Sequence, residues 1–156
     1  MAGLFRTDPF TDAELGEFRR SRGRWRGKIS IQGVEVPLVL AGTRAGPDSE
    51  SLELARTVTS DLFGWERAIE EALFEHHEPY APDSSEVSES QHLDIRLEDP
   101  ADAWRHTQPE FVAITLLEGR LTIEIGYHVA WDEEHTLGAR IQGGELTELS
   151  GSVLSP

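Results

Sequence analysis

Residues 111–126 read Phe111-Val-Ala-Ile-Thr-Leu-Leu-Glu118-Gly119-Arg120-Leu-Thr-Ile-Glu-Ile-Gly126, and this stretch decides the fold class. Apolar and β-branched residues flank Glu118-Gly119, and a two-residue loop ending in glycine suits the positive φ values of a tight hairpin. In that register Val112 meets Ile125, Ile114 meets Ile123 and Leu116 meets Leu121, giving one continuous apolar face. On the other face Phe111 opposes Gly126, where a ring can cover the missing side chain. Strands are predicted at Phe111–Leu117 and Arg120–Trp131, with Pro109 ending the segment before them.

Toward the C-terminus a third strand, about Thr136–Ile141, leads through Gln142-Gly143-Gly144 to a last one near Leu146–Leu149, which completes a meander. The link within it is Trp131-Asp-Glu-Glu-His-Thr-Leu-Gly138, with Trp131 closing a strand, Asp132 to His135 turning and Leu137 opening the next. Three carboxylates and an imidazole in a row make Trp131, Asp132, Glu133, Glu134 and His135 the candidate binding residues, with His128 close in sequence. A metal or acid–base site is one reading. Four consecutive residues in a bend do not all converge, however, and the glycine spacing of a calcium loop is missing. The structural reading has Asp132 accepting turn N–H groups, Trp131 packing on the core and His135 making a local hydrogen bond. No catalytic residue, metal site or cofactor is assigned.

Toward the N-terminus, residues 24–31 alternate, with Trp25, Ile29 and Ile31 on one face and Arg24, Arg26, Lys28 and Ser30 on the other. Gln32-Gly33 supplies a second hairpin turn, pairing Ile31 with Val34, Ile29 with Val36, Gly27 with Leu38 and Trp25 with Leu40. Pro37 cannot donate to a ladder, so this strand is expected at a sheet edge or with Pro37 outward. Thr11-Asp-Ala-Glu14 has the form of a capping box, with Phe10 and Leu15 as a hydrophobic staple, and predicts a short helix over about 11–20.

Between the two strand regions, apolar residues recur at Ala55, Val58, Leu62, Trp65, Ile69, Ala72 and His76, in steps of three and four. Leu52, Leu54, Phe63, Leu73 and Phe74 widen the stripe. One long helix capped by Asp48 or Ser49 is expected to run to His76-His77-Glu78-Pro79, with Gly64 as the place where it would break. Adjacent histidines diverge by about 100° on a helix, so they read as complements to its dipole rather than as metal ligands. Residues 80–92 are polar and acidic, a predicted mobile loop. Asp99-Pro100 then starts a short helix to about His106, anchored by Trp104.

These elements define an α+β protein, an antiparallel sheet made of an N-terminal β-hairpin and a C-terminal β-meander, packed against one long central helix with short accessory helices. At 156 residues one domain over 1–156 accommodates them. There is no cysteine, which removes disulfides, thiolate nucleophiles and cysteine-based metal sites. No secretory leader or membrane span is read, so the cytoplasm is the expected location and no membrane partner is expected.

Net charge is −15, unevenly spread: acids number 5 against 8 bases in residues 1–47, 15 against 3 in residues 48–99 and 9 against 3 in residues 100–156. The bases near Trp25 could suggest a nucleic-acid patch, but a field of the overall sign repels phosphate, so no nucleic-acid partner is expected. A basic protein partner is.

Trp131–Gly138 resembles a Trp-Asp-Glu-Glu-His-Gly-Leu-Gly signature in a group of uncharacterised bacterial domains, with Thr136 standing where the signature has glycine. The front half, with Trp25-Arg-Gly27, its hairpin and the helix carrying Trp65 and Ile69 with Tyr80 beyond, looks like a related group; together they would cover about 24–150. The resemblance implies a small α+β fold and a bacterial setting in which interaction domains, immunity proteins against toxins included, are common. No phosphate loop, dinucleotide fingerprint, Gly-x-Ser-x-Gly elbow or zinc motif is present. The expected function is a non-enzymatic bacterial interaction protein whose acidic surface binds a basic partner, including a toxin in an immunity role. The alternative is a metal-dependent hydrolase or metal-binding domain at Asp132–His135. Whether it is an enzyme, and its oligomeric state, stay open.

Overall fold

In a computed structural model, which describes residues 6–81 and 95–156, the chain opens with strands rather than with the predicted helix over 11–20. β1 (Phe10–Asp12) and β2 (Gly16–Ser21) pair antiparallel around a turn organised by Asp12. The Asp12 carboxylate accepts the backbone N–H groups of Glu14 (2.9 Å) and Leu15 (3.0 Å). A side-chain oxygen taking the next free N–H groups is the chemistry of a helix cap, but it serves a turn equally well. Gly16, at φ 84°, then leaves helical geometry, and Phe18 is fully buried from the strand. Asp12 itself is buried against the Arg56 guanidinium, which holds its carboxyl down to about 2.

β3 (Arg24–Ile31) and β4 (Val34–Leu40) form the second hairpin in the predicted register, Ile31 with Val34 through Trp25 with Leu40. Gln32 and Gly33 carry φ of 50° and 78°, the pair of positive values that matches a turn to the strands' twist. Glu118 and Gly119 repeat the pair at 50° and 79°. Trp25 is buried, and its indole N–H donates to the Thr43 carbonyl at 2.8 Å, which takes it out of any base-stacking role. Two very short strands, β5 (Gly42–Thr43) and β6 (Gly46–Pro47), close the turn into the helix.

The helix α1 (Ser49–His77) runs unbroken for 29 residues, Gly64 included. Asp48 occupies the N-cap position but makes no side-chain capping bond. The buried stripe is Leu52, Ala55, Val58, Leu62, Trp65, Ile69, Leu73 and His77. Past Ile69 it advances by fours, so Leu73 and His77 lie inward instead of the predicted Ala72 and His76. Phe63 does not widen the stripe: it is 77% exposed. No helix among the described residues is long and apolar enough to cross a membrane.

A 3-10 turn (Glu78–Tyr80) ends the helix, and most of the loop expected over 80–92 lies outside the described residues. A second 3-10 segment (Pro100–His106) has the predicted Asp99 cap, reciprocated by Asp102. The meander follows as β7 (Thr107–Leu117), β8 (Arg120–Val129), β9 (Asp132–Gln142) and β10 (Glu145–Val153). Val112–Ile125, Ile114–Ile123 and Leu116–Leu121 pair as expected. Pro109 does not end a segment; it sits inside β7, where the ladder shifts register before Phe111. Leu116 lies at the hairpin tip and is 61% exposed, so the apolar face stops short of it.

Eight strands join in the order β1-β2-β3-β4-β7-β8-β9-β10, antiparallel throughout except where β4 meets β7. There Leu38, Val39 and Leu40 run parallel to Val112, Ala113 and Ile114. β4 is therefore interior rather than an edge. Pro37 is exposed and precedes the parallel ladder, so its missing N–H costs no pairing there. α1 covers one face of the sheet with the main core. The other face carries a small cluster of Val39, Phe111 and Ala113 under Val153, with the Phe111 ring filling the space over Gly126.

Two substitutions separate packing from propensity. Gly126→Ala drives a methyl into the Phe111 ring and should cost about 1–3 kcal/mol in urea unfolding. Gly64→Ala meets open space on the helix and should gain about 0.5–1 kcal/mol. A neutral Gly126→Ala would show that the ring is not committed to that glycine.

Candidate functional site

The octapeptide is tighter at its start and looser in its middle than its sequence suggests. Ala130 and Trp131 alone form the turn, since Val129 already pairs with Asp132. His128 then pairs with Thr136, so Glu133, Glu134 and His135 are extra residues on β9 with no counterparts on β8. Such a bulge re-aims the side chains on either side of it. Here it brings His135 back over Asp132, whose two carboxylate oxygens each lie 3.0 Å from His135 Nδ1. A carboxylate only accepts, so Nδ1 carries the proton and Nε2 faces outward on a ring whose side chain is 45% exposed.

Asp132 is buried and accepts a second bond from the Tyr80 hydroxyl at 3.1 Å. It accepts side-chain donors rather than the predicted turn N–H groups. Burial pushes its carboxyl up, but the bonds from His135 and Tyr80 and the nearby imidazoles outweigh burial and hold it below the usual carboxylate range. Burial raises the Tyr80 phenol, and the Asp132 carboxylate adds to that rise.

Tyr80 and His76 are site members that sequence reasoning missed. The indole N–H of Trp131 donates to His76 Nδ1 at 3.0 Å, and the His76 ring stacks on Tyr80 with centroids 5.5 Å apart. An indole can only donate, so His76 is neutral with its proton on Nε2. Burial lowers its pKa, and protonation at Nδ1 would break the Trp131 bond. His77 diverges as helical geometry requires, lying edge-on to Trp131 while its Nε2 donates to the Ile95 carbonyl at 2.6 Å. The available signal was the spacing of His76 and Tyr80, four apart at a helix end and so on one side.

Of the predicted residues, the structure brings Trp131, Asp132 and His135 together and leaves Glu133 and Glu134 exposed and apart. His128 is not alongside. It pairs with Thr136 one position from the buried Val129, and alternation places it on the opposite face of the sheet. Among the described residues no three His, Asp or Glu side chains stand close enough to hold a metal ion. What remains is a Tyr–Asp–His chain able to hold a proton and fix one imidazole tautomer. It also pins the end of α1 to the β8–β9 turn.

An eight-stranded mixed sheet under one long helix, with this hydrogen-bonded array at the helix C-terminus, defines a class of small α+β domain. The family DUF6985, a domain of unknown function, matches residues 14–154, and the chain belongs to it. Neither the curated proteins nor the solved structures contain a match.

The array makes stability fall on acidification. His76 has a depressed folded pKa, so its contribution is complete above the ordinary imidazole value of about 6.5 and is lost as pH falls through the lowered one. Asp132 behaves likewise below the ordinary carboxylate value of about 3.9. Unfolding free energy measured from pH 7.5 downward should therefore decline first near His76's range, and His76→Gln should flatten that early decline. Tyr80→Phe removes a donor from Asp132, so the carboxyl's titration, followed by carbon NMR, should move to higher pH. An unmoved midpoint would sever Tyr80 from the array.

Proposed function

We propose that this protein is a non-enzymatic binding module that engages a basic protein partner through the acidic outer side of α1. The observation that carries the reading is charge left uncompensated around an exposed aromatic ring. α1 holds seven acids against Arg56 and Arg67, and those two guanidiniums are already tied to Asp12 and Glu71. Glu71, Glu75 and Glu78 crowd the negative end of the helix dipole, where carboxylates weaken a helix. Glu66 and Glu70 repel across one turn. Apart from Glu71, which pairs with Arg67, and Glu70, which accepts the Trp104 indole N–H, these acids make no side-chain ion pair among the described residues, and Phe63, in line with Glu66 and Glu70, is 77% exposed. A large apolar ring within a polar rim is the usual anchor of a protein interface.

Charge of this sign would speed the approach of a cationic partner and make binding fall with salt. In the bacterial setting that the octapeptide resemblance implies, an immunity protein masking a basic toxin fits that description. Affinity capture with the full chain, from the cells that make it, at low salt, tests the reading. A basic protein should be retained, and it should be released by salt and by the charge reversal Glu71→Lys with Glu75→Lys. Phe63→Ala should weaken binding by more than about 1 kcal/mol with little change in stability. Retention of nothing, or retention indifferent to the reversal, overturns it.

A further inference from the structure

Beside α1, an open cleft of about 340 Å³ lies among the β3–β4 turn, the Pro100–His106 segment and the start of β7. This is the small end of the roughly 300–1,000 Å³ range of ligand clefts. Among the described residues its apolar walls are Val34, Trp104 and Pro109, and its polar atoms come from Gln32, Glu66, Thr107 and Gln108. Glu66 is the one charged side chain in that lining, and every polar member offers an oxygen acceptor.

A second observation lies behind the cleft. The Tyr127 hydroxyl is fully buried and has no hydrogen-bond partner among the described residues. Tyr127 is outside the cleft's lining and touches it through Trp104. The Tyr127 ring meets Trp104 edge-on with centroids 5.8 Å apart, and the polar groups near its hydroxyl are Gln32 and Glu66. A native buried hydroxyl with no partner is uncommon and calls for a reason. Burial keeps this phenol neutral, able both to donate and to accept.

We propose that this cleft is a guanidinium site and takes an arginine side chain of the basic partner, a reading that rests on the binding function above. Trp104 offers a flat face held in place, since its indole N–H donates to Glu70 Oε2 at 2.8 Å. A guanidinium stacks on such a face, is weakly hydrated and spreads five donors in a plane. Those donors match Glu66 as counter-charge and the Gln32, Thr107 and Gln108 oxygens as acceptors. An ammonium has no flat face for Trp104 and holds its water more tightly. The site also continues the proposed surface, because helical spacing puts Glu66 and Glu70 in line with exposed Phe63.

The test is titration of the full chain with N-acetylarginine methylamide and, separately, with its uncharged citrulline analogue, following the Trp104 indole N–H by NMR. The arginine compound should shift that resonance to saturation, and the citrulline compound should not. Glu66→Gln should weaken binding about tenfold through loss of a charge-assisted contact. No shift at Trp104, equal response to citrulline, or indifference to Glu66→Gln overturns the site. Failure of the cleft is distinct from failure of the binding function. A captured basic partner that still binds the Glu66→Gln protein removes only the cleft, whereas probe binding with no partner retained removes the arginine-bearing protein as occupant.

Discussion

The parallel contact between β4 and β7 is the constraint on which the rest of the molecule depends. Antiparallel neighbours can be joined by two residues, but parallel neighbours need a return path across the sheet. α1 is that path. At about 1.5 Å per residue its 29 residues extend roughly 43 Å, enough to reach across the sheet. A break at Gly64 would have shortened the cover, and packing of Leu62 and Trp65 on either side outweighs the roughly 1 kcal/mol that an interior glycine costs.

The four tryptophans show how the cover is held down. Trp65 on the helix donates to the Gly144 carbonyl in the β9–β10 turn, and Trp104 donates to Glu70. Trp131 donates to His76 at the helix end, and Trp25 reaches Thr43 beneath the helix start. Each indole buries apolar area and spends its one donor outside its own element. The Asp132 array belongs to this set of fastenings. Its charge is tolerated in a buried position because an imidazole and a phenol both donate to it. The same contact fixes the His135 tautomer, with the proton on Nδ1.

Local order was legible wherever one period and one turn type agreed. The register of β3–β4 and of β7–β8 followed from alternation plus a two-residue turn, because a slip of one residue would turn every apolar side chain to the wrong face. The long helix followed from its 3.6-residue stripe. The N-terminal segment misled because Asp12 solves the same donor problem in a turn that Thr11 would solve at a helix start. Within the candidate site, Asp132 and His135 were visible as neighbours three apart. Their convergence was not, since it depends on three unpaired residues in β9.

By itself the sequence determined the long helix, the strands from Arg24 to Leu40 and of the C-terminal meander, both central hairpin registers, the acidic character of the helix and the residues from which a site could be built. These are short-range properties, set by side-chain periodicity, turn stereochemistry and formal charge. Only the tertiary structure decided that β4 is interior, that residues 10–21 are strands, and that Tyr80 and His76 complete the Asp132–His135 pair. Those contacts join positions some 50 residues apart. They form because burying the helix stripe brings its end to the β8–β9 turn, a meeting that no local preference encodes.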